Sequence, residues 1–260
     1  MNNECDKILR THEIDRALEL ARHVVSLDCL GAITGIPGTG KTEALLTIQN
    51  KYPMMDLPGK CAFVRCCGTE GSVSGVKQIL ASLGMKEAAN IRGLSLELAI
   101  KMSVRLFQHE DYRLLLLDEA ELMDSAALGG VISMADMLKL NKHPIGVLMT
   151  GIQPSEKWIG LNNGGASRTV RSEVFRELFP TMALSLLREW QTSFARLSER
   201  VEQKDKDASL CVKLIHKGTG GNLRRLKFFA QLYGLLHADK DVTKENILTT
   251  FEKMTHEELS

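Results

Sequence analysis

A glycine-rich segment carries the residues whose types and spacing could bind phosphate. The residues from Gly35 to Thr42 (G-I-P-G-T-G-K-T) match the pattern G-x-x-x-x-G-K-[ST] at every fixed position. Glycines let the backbone wrap around a phosphate group, and the helix that follows adds the positive end of its dipole. Lys41 would place its charge on the β- and γ-phosphates, and Thr42 would offer its hydroxyl to Mg²⁺. The segment therefore predicts a nucleotide phosphate site.

Two adjacent carboxylates follow a buried apolar run further along the chain. Leu114–Leu117 has the composition of a buried strand, and Asp118 and Glu119 follow it directly. Asp118 could bind Mg²⁺, and Glu119 could polarise a water molecule for attack on the γ-phosphate. Two carboxylates in such a place cost stability unless a cation or hydrogen bonds compensate them, so with Lys41 they favour a hydrolase. Thr150, at the end of a later predicted strand, could orient the water.

Composition and charge are ordinary for a globular chain. The 260 residues include 33 Lys plus Arg and 32 Asp plus Glu, with 44% hydrophobic and 25% charged residues. These values exclude a disordered chain, a collagen-like chain and a histone-like polycation. No apolar run approaches the roughly 18 residues of a membrane span. The first ten residues do not form a secretory signal, and no cysteine pair has C-x-x-C spacing, so we expect a cytoplasmic protein with reduced thiols.

Apolar strand-like runs alternate with helical patterns over much of the chain, which predicts an α/β domain with a mostly parallel sheet. The predicted strands cover residues 29–34, 61–67, 113–117, 145–150 and 182–186. The predicted helices of this part cover residues 13–25, 42–50, 71–84, 94–108 and 125–141, and a long loop covers 153–172. Later helices are predicted over 188–203, 207–217, 222–237 and 243–254. We therefore expect an N-terminal helical segment (1–28), a nucleotide-binding α/β domain (29–186) and a helical lid (187–260).

These features resemble the AAA+ ATPases. The adjacent acidic residues, an extra strand between the two motifs and a C-terminal helical lid are typical of that class. The resemblance implies a P-loop domain with a three-layer parallel sheet that uses ATP and Mg²⁺. Thr150 would match the sensor-1 position of the class. The segment 221–226 (G-N-L-R-R-L) looks like its sensor-2 signature, in which Arg224, with Arg225 as the alternative, reaches the γ-phosphate.

Several short segments further resemble the phage Mu B transposition proteins and their relatives, and the likeness covers roughly residues 15–254. The segments are 35–44, the D-E-A-E run at 118–121, 146–149, 163–170 and 175–179. The resemblance implies an ATP-dependent ATPase that binds duplex DNA without sequence preference and forms a helical filament or ring on it. It further implies that the protein selects a transposition target and activates a partner transposase similar to the Mu A protein. The implied ATP-binding residues are Gly35, Ile36, Pro37, Gly38, Thr39, Gly40, Lys41, Thr42, Glu43 and Arg224.

This chain departs from those proteins in its N-terminal part. They carry an N-terminal helix-turn-helix region, whereas here about 28 residues precede the first predicted strand. That length is enough for one or two helices.

The resemblance to AAA+ proteins also implies an arginine that reaches the ATP of a neighbouring subunit. Arg168, Arg171 and Arg176 lie between the fourth predicted strand and the lid. Arg176 is the first candidate because it comes just before the predicted fifth strand, and Arg168 is the second. An arginine in this role stabilises the charge of the transition state across the interface, so ATP would promote assembly and hydrolysis would release it.

The net charge of the chain is only +1, so any DNA contact must come from a local group of basic residues. In related AAA+ rings and filaments the segments around Lys77 and Arg92 face a central channel, so Lys77, Arg92 and Arg105 are the candidates. Their contacts with phosphates would be independent of sequence and sensitive to salt. A second basic stretch, residues 208–238, has no Asp or Glu and five Lys or Arg. Low aromatic content favours duplex DNA over a single strand.

Other functions stay open at this point. A helicase loader, replication initiator or secretion-associated ATPase would act on a protein client. A small-molecule P-loop kinase would work as a monomer, and the Asp118–Glu119 pair and Arg224 count against it. A signalling switch with very slow hydrolysis is a further alternative.

Overall fold

The computed structural model describes residues 12–68, 71–86, 92–152, 171–238 and 240–258. Contacts within the chain group it into two compact units. The first unit comprises Met1–Ile36 and Lys41–Phe175, and the second comprises Pro37–Gly40 and Arg176–Ser260. A short turn from the N-terminal half of the sequence therefore belongs with the C-terminal unit.

A five-stranded parallel sheet forms the centre of the first unit, as the sequence predicts. Its strands are β1 (Leu30–Thr34), β2 (Lys60–Arg65), β3 (Tyr112–Asp118), β4 (Gly146–Gly151) and β5 (Arg171–Val174). Their order in the sheet is β2-β3-β4-β1-β5. Strand β4 lies between β1 and β3, which confirms the extra strand between the two motifs. The register pairs Leu117 with Met149 and Ile33 with Thr150, so the carboxyl ends of the three strands meet at one edge.

Helices on both faces bury the sheet. They are α1 (His12–Ser26), α2 (Lys41–Lys51), α3 (Ser72–Ser82), α4 (Leu96–Glu110) and α5 (Ser125–Leu140). Leu115 and Leu117 join the apolar core that α3, α4 and α5 form against one face. Leu114 and Leu116 alternate with them and are also fully buried. Because successive strand residues point to opposite faces, a run of four leucines fits a strand that is covered on both sides.

The predicted fifth strand over 182–186 is wrong. Those residues lie within helix α6 (Pro180–Trp190), which begins with proline and buries Ala183, Leu184, Leu186 and Leu187. This spacing has the helical period, with apolar residues three and four positions apart. The fifth strand is instead Arg171–Val174, which pairs with β1. Arg176 therefore follows the fifth strand and does not precede it.

The second unit contains α6 and four further helices. They are α7 (Ser193–Glu202), α8 (Lys206–Thr219), α9 (Leu223–His237) and α10 (Lys244–Glu258). The single helix predicted over 188–203 is interrupted, because α6 ends at Trp190 and α7 begins at Ser193. A cluster of aromatic rings holds the helices together, with contacts among Phe194, Phe229, Tyr233 and Phe251. The predicted boundary between the α/β domain and the lid, at residue 187, depended on the predicted strand over 182–186. That segment is part of α6.

None of the described helices combines the length and the apolar character needed to cross a membrane.

Two glycines allow α3 and α5 to approach closely. A Cβ atom on Gly130 would lie 2.2 Å from the carbonyl oxygen of Ser72, and one on Gly75 would lie 2.4 Å from that of Ala127. Both obstacles are backbone atoms, which cannot turn aside as a flexible side chain can. By contrast, a Cβ atom on Gly129 meets nothing within 4 Å.

We expect Gly130→Ala to lower the free energy of unfolding by about 1–3 kcal/mol, because the added methyl group forces the two helices apart. The neighbouring Gly129→Ala is the matched control and should stabilise the chain by up to about 1 kcal/mol, since alanine favours the helix. Denaturant unfolding of both variants measures the difference. Equal stability of the two variants would contradict the close approach.

Candidate active site

The turn between β1 and α2 has the backbone form that a phosphate cradle needs. Gly38 and Gly40 adopt φ angles of 82° and 94°, which favour glycine. The Lys41 ammonium donates hydrogen bonds to the carbonyl oxygens of Gly35 at 2.7 Å and Ile36 at 2.9 Å. The lysine thus lies across the start of the turn.

Asp118 is the buried acid of the site, with only 1% of its surface exposed. Its Oδ1 accepts hydrogen bonds from the hydroxyls of Thr150 at 2.7 Å and Thr42 at 3.2 Å. Its Oδ2 is also buried and has no hydrogen-bond partner among the described residues. A buried carboxylate oxygen without a partner is costly, so this atom is suited to receive a cation.

Thr42 and Asp118 fit Mg²⁺. A hydroxyl and a carboxylate are the oxygen ligands that this ion takes, usually with waters and substrate phosphates as the others. The Thr42 hydroxyl lies within hydrogen-bond distance of the carboxylate, so the two ligands are already adjacent. The unpaired Oδ2 of Asp118 supplies the observation that favours a bound cation.

Thr150 joins the two acidic residues. Its hydroxyl donates to Asp118 and accepts a hydrogen bond from the backbone N–H of Glu119 at 3.1 Å. Glu119 itself has φ 57° and ψ 40°, the left-handed region that non-glycine residues rarely adopt. The Glu119 side chain contacts Arg65, whereas that of Asp118 contacts Thr42 and Thr150. Strand β4 thus brings Thr150 to the position between the motif strands that the sequence suggested.

Sequence reasoning missed Arg65, the last residue of β2. Its guanidinium holds the Glu119 carboxylate with two hydrogen bonds, Nε to Oε2 at 3.3 Å and Nη2 to Oε1 at 3.0 Å. The charge of Glu119 is therefore neutralised by Arg65 in this structure. A signal existed, because Arg65 is the single charged residue in the predicted strand over 61–67. Its partner depends on the strand register, which sets Arg65 opposite Asp118.

Glu121 adds a third carboxyl group near the site. Its Oε2 is buried without a hydrogen-bond partner among the described residues. Burial raises the pKa of Glu121 above its ordinary value, while a backbone hydrogen bond and the charge of Lys41 act in the opposite direction. The D-E-A-E run thus brings a third carboxyl group within electrostatic reach of Lys41.

The turn Pro37–Gly40 contacts the beginning of α9 inside the second unit. The Asn222 amide donates a hydrogen bond to the carbonyl oxygen of Pro37 at 2.8 Å. The backbone N–H of Arg224 donates to the carbonyl oxygen of Gly38 at 3.3 Å. The Arg224 side chain, predicted to bind the γ-phosphate, starts from this first turn of α9 and is exposed.

The other predicted nucleotide residues lie in the turn or at the start of α2. Thr39 is buried in the turn, Pro37 is exposed, and Glu43 is half-buried in the first turn of α2. Arg176 is exposed between β5 and α6. Arg168 and the rest of 163–170 lie outside the described residues, and so does the side chain of Arg171.

The three predicted DNA contacts lie apart from the hydrogen-bonded cluster at Asp118. Lys77 is half-buried on α3, Arg105 is exposed on α4, and Arg92 is exposed in the turn before α4. Helices α3 and α4 pack against each other, so two of the three cations stand on neighbouring elements.

The glycine turn, the lysine that begins α2 and the buried aspartate at the end of β3 define a P-loop nucleotide-binding domain. Residues 26–159 match the family model described as "AAA domain", and the chain belongs to this family of ATPase domains. A comparison with curated proteins finds no match.

Solved structures with the same fold include a domain of a replication initiation protein. The chain is similar to Cdc6p from Pyrobaculum aerophilum, with TM-score 0.65 and 16% identity over 95% of this chain and 68% of that one. It is similar to Aeropyrum pernix ORC1 in complex with DNA, with TM-score 0.52, 14% identity and coverage of 95% and 66%. Domain III of the Thermotoga maritima replication initiation protein DnaA gives TM-score 0.55, 13% identity and coverage of 95% and 93%. At identities this low, the structural similarity shows a shared fold and nothing further.

We expect Arg65→Gln to raise the basal rate of ATP hydrolysis by up to about fivefold. The Arg65–Glu119 ion pair is exposed, and a pair of this kind contributes up to about 1 kcal/mol. Its loss would leave the Glu119 carboxylate free to accept a proton. Release of inorganic phosphate at saturating Mg²⁺ and ATP measures the rate.

Lys60→Gln is the matched control for this experiment. It removes an exposed ion pair, Lys60 to Glu110 at 3.0 Å, from the opposite end of the same strand. The control should leave the rate unchanged. A rate for Arg65→Gln that is equal to or below wild type would show that the arginine does not restrain Glu119.

Proposed function

We propose that the chain hydrolyses ATP, with Mg²⁺ held by Thr42 and Asp118. The unpaired buried Oδ2 of Asp118 is the observation that carries this proposal. Bound Mg²⁺ would supply positive charge to the β- and γ-phosphates. The N–H groups of the turn from Gly35 to Gly40 and the Lys41 ammonium would bind the same phosphates.

Glu119 is proposed as the general base. A water oxygen attacks the γ-phosphorus, the bond to the oxygen of the β-phosphate breaks, and the water proton passes to the Glu119 carboxylate. The products are ADP and inorganic phosphate. Thr150 positions both acids, since its one hydroxyl binds Asp118 and the backbone of Glu119. Arg65 must release the Glu119 carboxylate before that carboxylate can take the proton.

Two arginines are proposed to complete the site. Arg224 would bind the γ-phosphate, and Arg176 would reach the ATP of a neighbouring subunit. Both side chains are exposed, and neither has an acidic partner among the described residues. A guanidinium without a carboxylate can bind a phosphate without first breaking an ion pair. Arg168 and Arg171 remain the alternatives to Arg176.

We further propose that ATP promotes assembly of a homo-oligomer, a filament or a ring, on duplex DNA. Lys77, Arg92 and Arg105 would contact phosphates without reading the sequence. The fold likeness to an ORC1 protein that was solved in complex with DNA supports a nucleic-acid partner. Cations on the described elements supply the local charge that the nearly neutral chain lacks overall.

The biological role has two candidates. The sequence resemblance to the phage Mu B transposition proteins supports a DNA-bound adaptor that selects the target and activates a transposase similar to Mu A. The fold likeness to Cdc6p and to DnaA domain III supports a replication initiator or helicase loader. We favour the adaptor, because the sequence segments that carry the first resemblance extend beyond the shared phosphate motif. Stimulation of strand transfer by a transposase, or of helicase loading, would separate the two.

We expect large assemblies to form only when ATP and random-sequence duplex DNA are both present. The assemblies should weaken as salt rises from about 0.05 M to about 0.2 M, because phosphate contacts release counterions. Sedimentation velocity with ATP or ADP, with and without DNA, measures this. Arg105→Ala should weaken DNA binding and reduce its salt dependence.

Lys139→Ala, which removes an exposed lysine from α5, is the control variant and should bind DNA as wild type does. A chain that stays monomeric under every condition would contradict both the assembly and the role of Arg176. Equal effects of Arg105→Ala and Lys139→Ala would contradict the assignment of Arg105 to the DNA surface.

A further inference from the structure

Asn222 uses both ends of its side-chain amide at the junction between α9 and the phosphate-binding turn. Its Nδ2 donates to the carbonyl oxygen of Pro37 at 2.8 Å. Its Oδ1 accepts from the backbone N–H of Arg225 at 3.1 Å and so caps the helix. Asparagine combines a donor and an acceptor in this short side chain, whereas aspartate offers acceptors only.

Two glycines of the phosphate-binding turn lie close to the first residues of α9. A Cβ atom on Gly38 would lie 2.3 Å from the Asn222 amide atoms, and one on Gly40 would lie 2.9 Å from Leu223 Cδ2. A side chain at Gly38 or Gly40 would therefore displace the Asn222 amide or the Leu223 side chain. Gly38 and Gly40 have φ angles of 82° and 94°, so a side chain at either position would also strain the backbone.

The start of α9 is itself anchored. The carbonyl oxygen of Gly221 accepts a hydrogen bond from the N–H of Leu178 at 2.8 Å. The Leu178 carbonyl oxygen lies 2.7 Å from Nε2 of His216 on α8. These hydrogen bonds hold the segment from which Asn222 extends. The Asn222 amide can therefore fix the position of the turn.

The direction of these bonds has a consequence for phosphate binding. In a trans peptide the carbonyl and the N–H of the next residue point in opposite directions. The carbonyls of Pro37 and Gly38 point toward α9, where they accept from Asn222 and from the backbone of Arg224. The N–H groups of Gly38 and Thr39 must then point away from α9, and such N–H groups bind phosphate in turns of this kind.

We propose that Asn222 is a positioning residue that holds the phosphate-binding turn with its N–H groups directed at the nucleotide. This inference rests on the proposed ATP binding. Asn222 acts on ATP and ADP alike, because the turn would hold the β-phosphate that both nucleotides share. It differs in this from Arg224, whose proposed partner is the γ-phosphate.

The test compares Asn222→Asp with wild type. Aspartate keeps the acceptor for the N–H of Arg225 but loses the donor to Pro37 and sets a carboxylate against a carbonyl oxygen. We expect the dissociation constants of ATP and of ADP each to rise about fivefold or more, since the net value of one hydrogen bond is about 1 kcal/mol. Titration with a fluorescent analogue of each nucleotide measures the constants, and thermal unfolding measures stability.

Asn246→Asp is the matched control. It makes the same substitution near the start of α10 in the same unit and removes a hydrogen bond from Nδ2 to the Asp241 carbonyl oxygen at 3.1 Å. It should leave both dissociation constants unchanged. Asn222→Ser, which keeps a helix cap but is too short to reach Pro37, decides the question if the aspartate variant does not fold.

A role in helix capping alone would change the unfolding temperature and leave both dissociation constants at the wild-type values. That result, or an equal loss of affinity in Asn246→Asp, would overturn the role of Asn222. Wild-type protein that binds neither ATP nor ADP would overturn the proposed function and this inference together. Binding by wild type with unchanged binding by the variants would overturn this inference alone.

Discussion

The buried carboxylate of Asp118 constrains the rest of the site. An ionised group removed from water is stable only when hydrogen bonds or a cation compensate it. Thr150 and Thr42 satisfy one oxygen, and each comes from a different element that begins or ends at the same edge of the sheet. The contact between Thr150 and Asp118 requires β4 to lie beside β3, as it does in the sheet. The remaining oxygen has no hydrogen-bond partner among the described residues, and we propose that it receives Mg²⁺.

Asp118 and Glu119 differ in backbone conformation, and their carboxyl groups therefore have different neighbours. Asp118 ends an extended strand, whereas Glu119 turns into the left-handed region and contacts Arg65. A single peptide bond thus separates a carboxyl group suited to a cation from one suited to a proton. The second unit contributes at the phosphate-binding turn, where the beginning of α9 binds the outward carbonyl groups. Both arrangements orient groups before the nucleotide arrives, which lowers the cost of ordering them on binding.

Local pattern was enough to predict much of this fold. The phosphate motif, the acids after a leucine run and the strand ending in Thr150 each depend on a few neighbouring residues. The fifth strand could not be located in the same way, because Met182–Leu186 is a short apolar run whose periodicity fits a strand or a helix. The pairs Arg65–Glu119 and Asn222–Pro37 are separated by 54 and 185 residues. Such contacts depend on strand register and on helix placement, which one sequence does not specify.

ATP hydrolysis by Glu119→Gln, measured together with ATP binding, tests whether Glu119 is the general base. Glutamine keeps the size of the side chain but cannot accept the proton from water. We expect ATP affinity close to wild type and a hydrolysis rate at least about 100-fold lower, the usual contribution of a general base. Lys41→Ala should instead lose ATP binding. Hydrolysis by Glu119→Gln at the wild-type rate would contradict the role of Glu119 as the general base.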